Sequence, residues 1–486
     1  MKRLTGEKFL EYGETAVQVL FLIYTALGFN SITFGSRIIS VLMWITYLLG
    51  AAVLLVRLWN WKRYIRMPGL LCLVAMCAVC VVSIGMNLQY DLKKNVIYLI
   101  FWIFYFFLYF AQREDMAPEL AKKRFRLAGL LICVFAFVLS AVSLWMMEAR
   151  YTEVLTVQGT QIIRGFAQGR LFGAYLNPNG GAFVSAVVIV LSIWLLRDCR
   201  NYACRVFCVI NILLQFLYLV FSDSRGGRLC LAVGLAAYVL FEAIYSKWMR
   251  NNPWKGLIVA LLVISTAAAA WLAPKWTQDA YNGFIAELSL HMSENQGGET
   301  EKAGDTEQPN ASDVGKEPQD FYQVNRGYDL SGDISNRRFD IWKSGLEVFF
   351  QKPVTGHTFS GFLPFAEENM VDTYIVANDS RKMDTLENDF LNLLVSNGVI
   401  GFLLFIVFIV RILIYLFRRI FLDAYRDSAI PVMMAICALV AVFSMFNSSM
   451  LYSHCQNIPL FWLSLGSMIA IVSHREKEVC NDAGTH

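Results

Sequence analysis

Twelve long apolar stretches constrain this chain more than any other feature. They run roughly over residues 14–33, 38–57, 68–86, 95–111, 127–147, 180–196, 203–221, 226–245, 256–273, 398–417, 430–447 and 457–472. A helix needs about 20 mostly apolar residues to cross the hydrocarbon of a bilayer, and within it every backbone group must be bonded internally. The pattern predicts an all-α, polytopic membrane protein with about 12 transmembrane helices. Composition points the same way: 57% of the 486 residues are hydrophobic and 16% charged, where a soluble chain carries about 25% charged residues. A soluble core could not hide that much apolar surface, whereas a bilayer accepts it directly.

The formal net charge is only +4, so its distribution matters more than its sum. No basic tract is built for nucleic acid. Nearly all of the 11 cysteines fall inside apolar segments. Cys455 sits in a loop without an obvious partner, and the lone Cys77–Cys80 pair reads as packing thiols, since metal and redox sites need more context. The first span follows Lys2, Arg3 and Lys8 without a small-residue cleavage site, which predicts an uncleaved anchor.

Lys and Arg in the short loops set orientation. One side holds 23 of them and the other 8, which predicts both termini in the cytoplasm. The expected organisation is helices 1–9 over residues 1–273, one large extracytoplasmic loop over 274–387, helices 10–12 over 388–475 and a cytoplasmic tail over 476–486. Within the loop, 293–320 is acidic and almost free of apolar residues, too poor to offset chain entropy by burial, and is expected to be a disordered insert. Beyond it, RRFDIWKSGLEVFF carries apolar residues at helical spacing, and KPVTGHTFSG supplies breakers.

Four groups of residues on the extracytoplasmic side invite a functional reading. In SDSRGGR (222–228), Arg225 and Arg228 share a helix face, and Gly226–Gly227 allow close approach; a tight turn with interface-anchoring arginines explains it equally well. In GRLFGAYLNPNGGA (169–182), Asn177 or Asn179 could cap the next helix, and Arg170 has no such role. Arg337 and Arg338 open the amphipathic loop segment. Glu387 and Asn388 precede span ten, where a carboxylate is favourable on dipole grounds alone. Together these place arginines, a carboxylate and glycine-bearing turns on one face. Arginine grips phosphate through a planar fork and stays charged at any working pH, so the set suits an anionic ligand such as a lipid-linked diphosphate.

In this order the four blocks resemble the O-antigen ligase/polymerase family of bacterial membrane glycosyltransferases. Arg170 to Asn179 match that family's Arg–Leu–x–Gly…Asn–Pro–Asn segment, and Ser224–Arg225–Gly226 its Ser–Arg–Gly turn. Arg338, Ile341, Trp342, Pro353 and Gly356 match its Arg-x-x-Ile-Trp…Pro…Gly run. Glu387, Asn388, Leu391, Gly398 and Gly401 match its His–Asn-x-x-Leu…Gly-x-x-Gly block. The similarity covers roughly 165–418. One departure stands out: the family's histidine, taken in ligases as the catalytic base, is Glu387 here. A carboxylate, near 4.3 unperturbed, is a weaker base than imidazole near 6.5; His357 and His454 are the alternatives.

The resemblance implies an inverting, metal-independent glycosyltransferase without a cofactor. It would take an undecaprenyl-diphosphate-linked glycan donor and a glycan or lipid-linked acceptor, working within the lipid bilayer and not on nucleic acid. Arg225, Arg338 and Glu387 would be catalytic. Arg170, Asn179, Arg228, Arg337, Asn388 and His357 would bind substrate, and no residue would hold a metal. Loss of the histidine favours polysaccharide polymerisation over ligation to a lipid A core. The alternative is a transporter or flippase of lipid-linked saccharides, which would place charges near the midplane and break helices in both halves. Arg411 and Glu242 are the clearest charges within spans, and both can snorkel to one surface. A non-catalytic envelope scaffold is a third reading.

Overall fold

The computed structural model describes residues 2–113, 115–157, 160–246, 252–295, 323–324, 337–378, 384–422 and 426–484. Most of the expected acidic insert, 296–320, lies outside them. The first six helices are α1 Lys2–Gly28, α2 Arg37–Trp59, α3 Leu70–Gly85, α4 Leu92–Phe104, α5 Pro118–Glu148 and α6 Pro178–Asp198. Next come α7 Tyr202–Ser222, α8 Arg225–Tyr245 and α9 Lys255–Asn295. The loop helices are α10 Arg338–Gln351, α11 Phe362–Asn369 and α12 Tyr374–Ala377, and the chain returns through α13 Asp389–Ile420, α14 Ile430–Phe443 and α15 Asn457–Gly484. Nine described helices are long and apolar enough to cross a membrane, with α3 and α14 as shorter apolar companions. The protein is an all-α polytopic membrane protein.

The bundle is graded from centre to rim. α6 is buried on every side, as an all-round apolar helix must be. Its Phe183 stacks on Phe443 of α14 at 4.0 Å between ring centroids. α2 and α9 expose most of their apolar side chains and form the lipid-facing rim. Polar residues tie α5, α6 and α7 together inside. Gln215 Oε1 accepts from the Ser140 and Ser185 hydroxyls, both at 2.9 Å, and Gln215 Nε2 donates to Asn211 Oδ1 at 3.0 Å. Such bonds act as glue where no hydrophobic effect drives helices together.

Three features depart from a plain bundle of spans. α9 does not stop at residue 273 but continues through Pro274 to Asn295, so the expected start of the loop is helical. Tyr105–Phe110 extends α4 as a π-helix. The guanidinium of buried Arg57 takes up carbonyls at its end, donating to Ala111 O at 2.9 Å and also to Phe107 O, while pairing with Glu14. Between α5 and α6 the chain forms a small antiparallel sheet, β1 Thr152–Val157, β2 Thr160–Ala167 and β3 Arg170–Gly173, in the order β1-β2-β3. Thr152 pairs with Gly165, and a bulge at Gly165/Phe166 bends β2.

The loops sort onto two faces. On one, Arg63 pairs with Asp115, Arg113 with Glu11 at 2.5 Å, and Asp427 with both Lys122 (3.1 Å) and Arg475 (3.2 Å). This is the cationic face. On the opposite face, Ser31 N donates to Ala174 O at 2.8 Å and Arg164 Nη2 to Ser31 O at 2.6 Å. There too Lys352 Nζ reaches Asn87 Oδ1 at 3.0 Å.

Candidate active site

All nine residues singled out in the sequence lie on the face opposite the cationic one, and eight of them fall into two groups. The first is built where β3, the start of α6 and the α7–α8 turn meet. Asn177 caps α6, its side chain accepting from Asn179 N at 2.8 Å, and Pro178 fits the first helical position. That fixes Asn179, whose Oδ1 accepts from Arg170 Nη2 at 2.9 Å and from the Ser224 hydroxyl at 3.0 Å. Ser224 is also the N-cap of α8, accepting from Gly227 N at 3.1 Å. Arg170 is buried and donates its Nε to Ser222 O at 2.9 Å. One amide therefore ties three elements together. Arg225, half-buried, is the first residue of α8, where amides and dipole both favour an anion. Arg228 pairs with Asp223 at 3.5 Å and stacks over Trp271 of α9 at 5.5 Å.

The second group forms where α10 meets the start of α13. Arg338 opens α10, and its Nε lies 3.4 Å from Glu387 Oε2. Its Nε is buried without a hydrogen bond, so the pair is electrostatic and not a closed fork. The guanidinium sits over Phe446 at 5.8 Å. Arg337 lies over Tyr374 at 6.0 Å. The register follows from the amphipathic pattern: Ile341, Ser344, Gly345 and Val348 are buried, and the Trp342 indole donates to Leu386 O at 3.1 Å.

Glu387 holds a left-handed backbone, φ 49°, unusual for a side chain that gains nothing there. Its neighbours impose it. Asn388 caps α13, accepting from Phe390 N at 2.9 Å and Leu391 N at 3.1 Å, and donates to Met445 O at 3.1 Å. Asn392 accepts from Leu386 N at 3.0 Å and donates to the Ser448 hydroxyl at 2.6 Å. Asp389, fully buried, accepts from Ser449 N at 2.7 Å and Met450 N at 2.5 Å, leaving Oδ1 without a partner. The turn carrying Glu387 is thus clamped to the loop that follows α14.

That loop joins the two groups. Phe443, at the end of α14, lies against Gly226 of the α8 start, where an added Cβ would meet its ring at 3.5 Å. The next residue, Ser444, accepts from Asp389 N at 2.9 Å, and Phe446 lies beneath Arg338. Sequence reasoning missed Asp389 and the 444–450 loop. A buried carboxylate at the start of a span was a usable signal for Asp389; nothing in the sequence marked Phe446.

His357 belongs to neither group. It is 2% exposed, with Nε2 3.1 Å from Val348 O and the ring 4.1 Å from Phe365. Burial first, and the Lys352 ammonium second, lower its pKa to about 4. His454 is packed against Phe101 at 4.4 Å and Tyr98 at 5.5 Å, and burial lowers it to about 4 as well. The His357 imidazole presents no surface to a ligand, whereas His454 is half-buried.

Beside the second group, α13 is broken at Gly398 (φ 64°, ψ −172°). Val399 N donates to Pro353 O at 2.8 Å instead of to its own helix. Val395 O, which it leaves, and the neighbouring Ser396 O accept from His357 N and Thr358 N, both at 2.9 Å. Backbone meets backbone so closely that a Cβ at Gly356 or Gly398 would fall on the partner chain. The Pro-x-x-Gly and Gly-x-x-Gly runs are the two halves of this clasp.

Residues 210–406 match the family model described as O-antigen ligase. The match takes in Ser224, Arg225, Arg338, Glu387 and both halves of the clasp, while Arg170 and Asn179 precede it. A Haemophilus influenzae protein described as uncharacterized is 22% identical over 265 residues, 54% of this chain and 56% of that protein. The chain therefore spans about half the length of that relative. On the family match and the agreement of its residues, the chain is similar to the O-antigen ligase/polymerase family.

Proposed function

We propose that the chain joins undecaprenyl-diphosphate-linked glycans on the outer face of the bacterial cytoplasmic membrane, as a polysaccharide polymerase more than as a ligase. Both termini then lie in the cytoplasm, in keeping with the positive-inside rule on the cationic face. The observation that carries the reading is the Arg338–Glu387 pair, 3.4 Å apart on the face opposite the cationic loops. The loop after α14 links it to the Arg225 helix start.

In this reading Arg225 and Arg338 hold the donor diphosphate. The acceptor sugar hydroxyl attacks the anomeric carbon from the face opposite the diphosphate, forming one C–O bond as the bond to the diphosphate breaks. The hydroxyl proton passes to the Glu387 carboxylate, undecaprenyl diphosphate leaves, and the anomeric centre inverts. Charge growing on the leaving oxygen is met by the arginines, as donors of an oxyanion hole meet theirs. No metal or cofactor enters the scheme. Without donor, Arg338 is occupied by Glu387. A diphosphate that takes over Arg338 releases the carboxylate to act as base, so donor binding precedes activation of the acceptor. Arg170 and Asn179 hold the Ser224–Arg225 turn in place, and we assign Arg228 and Arg337 to the flanks of the donor.

The test is reconstitution with a lipid-linked repeat unit. Products that lengthen by whole repeats mark a polymerase, and transfer to a different acceptor marks a ligase. Accumulation of intact donor on the opposite leaflet, without new glycosidic bonds, would overturn both in favour of transport.

A further inference from the structure

The loop helix α10 has a second face that the active site does not use. One side packs Gly345 against Leu386 and buries Ile341 and Val348. The other carries Phe339, Lys343, Leu346 and Phe350, spaced i, i+4, i+7 and i+11, which at 3.6 residues per turn fall within an arc of about 60°. Phe339 is 68% exposed and Phe350 71%. Single exposed apolar residues are ordinary, but a stripe of them marks a contact surface.

Two observations identify what covers the stripe. The first is continuity with the lipid-facing rim. α3 exposes Leu71, Val74, Val81 and Val82 along its length, and exposed Met86 ends that row. The C-terminal end of α10 is fastened at this point, Lys352 Nζ donating to Met86 O at 3.2 Å and to Asn87 Oδ1 at 3.0 Å. Val354, two residues beyond Lys352, is exposed as well. The second is charge. An exposed lysine within the stripe suits a layer of lipid phosphates above an apolar floor, the arrangement of helices that lie in a membrane surface.

We propose that α10 is an interfacial helix, with Phe339, Leu346 and Phe350 in the acyl boundary of the leaflet on the active-site side and Lys343 among its phosphates. The helix begins at Arg338, so the arginine facing Glu387 stands at the depth of the lipid headgroups. For a lipid-linked diphosphate, the donor class assigned above and the part of this inference that rests on that reading, the reacting group meets its arginine without leaving the headgroup layer.

The test places a photo-crosslinking amino acid at Phe350, and at exposed Glu367 of α11 as control, in the full-length protein in phosphatidylethanolamine/phosphatidylglycerol vesicles. Phospholipid adducts at 350 are expected to exceed those at 367 by about tenfold, the factor that burying one apolar side chain supplies. Equal, low adduct yields at both positions would overturn the proposal. So would adducts at 350 with a second copy of the chain, which would make the stripe a protein interface. The crosslinking does not depend on glycosyl transfer. Adducts without transfer would leave the helix in the leaflet and remove the proposed enzymatic reading; transfer without adducts would do the reverse. In a second arm, Phe339→Glu with Phe350→Glu should raise the KM for lipid-linked donor about tenfold with kcat unchanged. A fall in kcat alone would contradict the assigned role.

Discussion

At the scale of single residues, the account rests on a carboxylate facing a guanidinium, at the position where the resemblance would place an imidazole. Arg338 lies 3.4 Å from Glu387, with its Nε short of a hydrogen bond, so the pair is held by charge and can be parted by a better anion. Replacing Arg338 by Ala should lower turnover by about 10²–10³-fold, the usual cost of removing one donor to a developing negative charge. Lysine should restore only part of it, because a point charge lacks the planar fork. Initial rates on reconstituted enzyme measure both. His357 gives a pH prediction of definite sign. Its folded pKa, about 4, lies below the ordinary 6.5, so the unfolded state binds the proton more readily between those values. The stabilisation is full above about pH 6.5 and is lost as pH falls towards 4. Protease resistance of the loop should fall over that window in the wild type. It should change little in His357→Gln, whose amide can still donate to the Val348 carbonyl.

At the scale of elements, the clasp between the 353–358 turn and the break in α13 fastens the loop helices to the membrane domain. Three backbone hydrogen bonds cross the clasp beside the break at Gly398. Ala at Gly398 must hold a positive φ as well as displace the Val354 carbonyl, and strain of that kind costs about 1–3 kcal/mol before any collision is counted. Thermal unfolding in detergent should show a clear drop for Gly398→Ala. Gly256, near the start of α9 with nothing within 4 Å of an added Cβ, should accept Ala without loss. The sequence disclosed such elements unevenly. The spans stood out because a bilayer demands unbroken apolar runs, and the Asn–Pro–Asn cap because capping chemistry is local. The small sheet did not, although TEVLTV and TQIIRGFA stand two residues apart in the sequence, a spacing that suits a hairpin. A search tuned to long apolar runs passes over such short strands. The extension of α9 beyond Pro274 was hidden by the proline, which reads as a stop and here is absorbed into the helix.

At the scale of the whole molecule, what the sequence could not convey is which loops come together. Arg170, Asn179 and Ser224 are far apart in the chain and share one amide oxygen. Glu387 reaches its geometry only through Asp389 and the loop after α14, a contact spanning about 60 residues. Pairings of that kind depend on how helices pack, which periodicity does not encode. Sidedness is also a property of the whole. Cysteine introduced at exposed Glu367 should react with a membrane-impermeant maleimide in intact cells, and labelling only after lysis would reverse the topology. The central claim, that Arg225 and Arg338 grip one pyrophosphoryl lipid, is tested most directly by binding of undecaprenyl diphosphate to the wild type, Arg225→Ala, Arg338→Ala and the double variant. Each single change should weaken binding by about tenfold or more, and the double loss should differ from the product of the two, because groups that share a ligand are coupled. Unchanged affinity in both single variants, or strictly independent effects, would contradict the account.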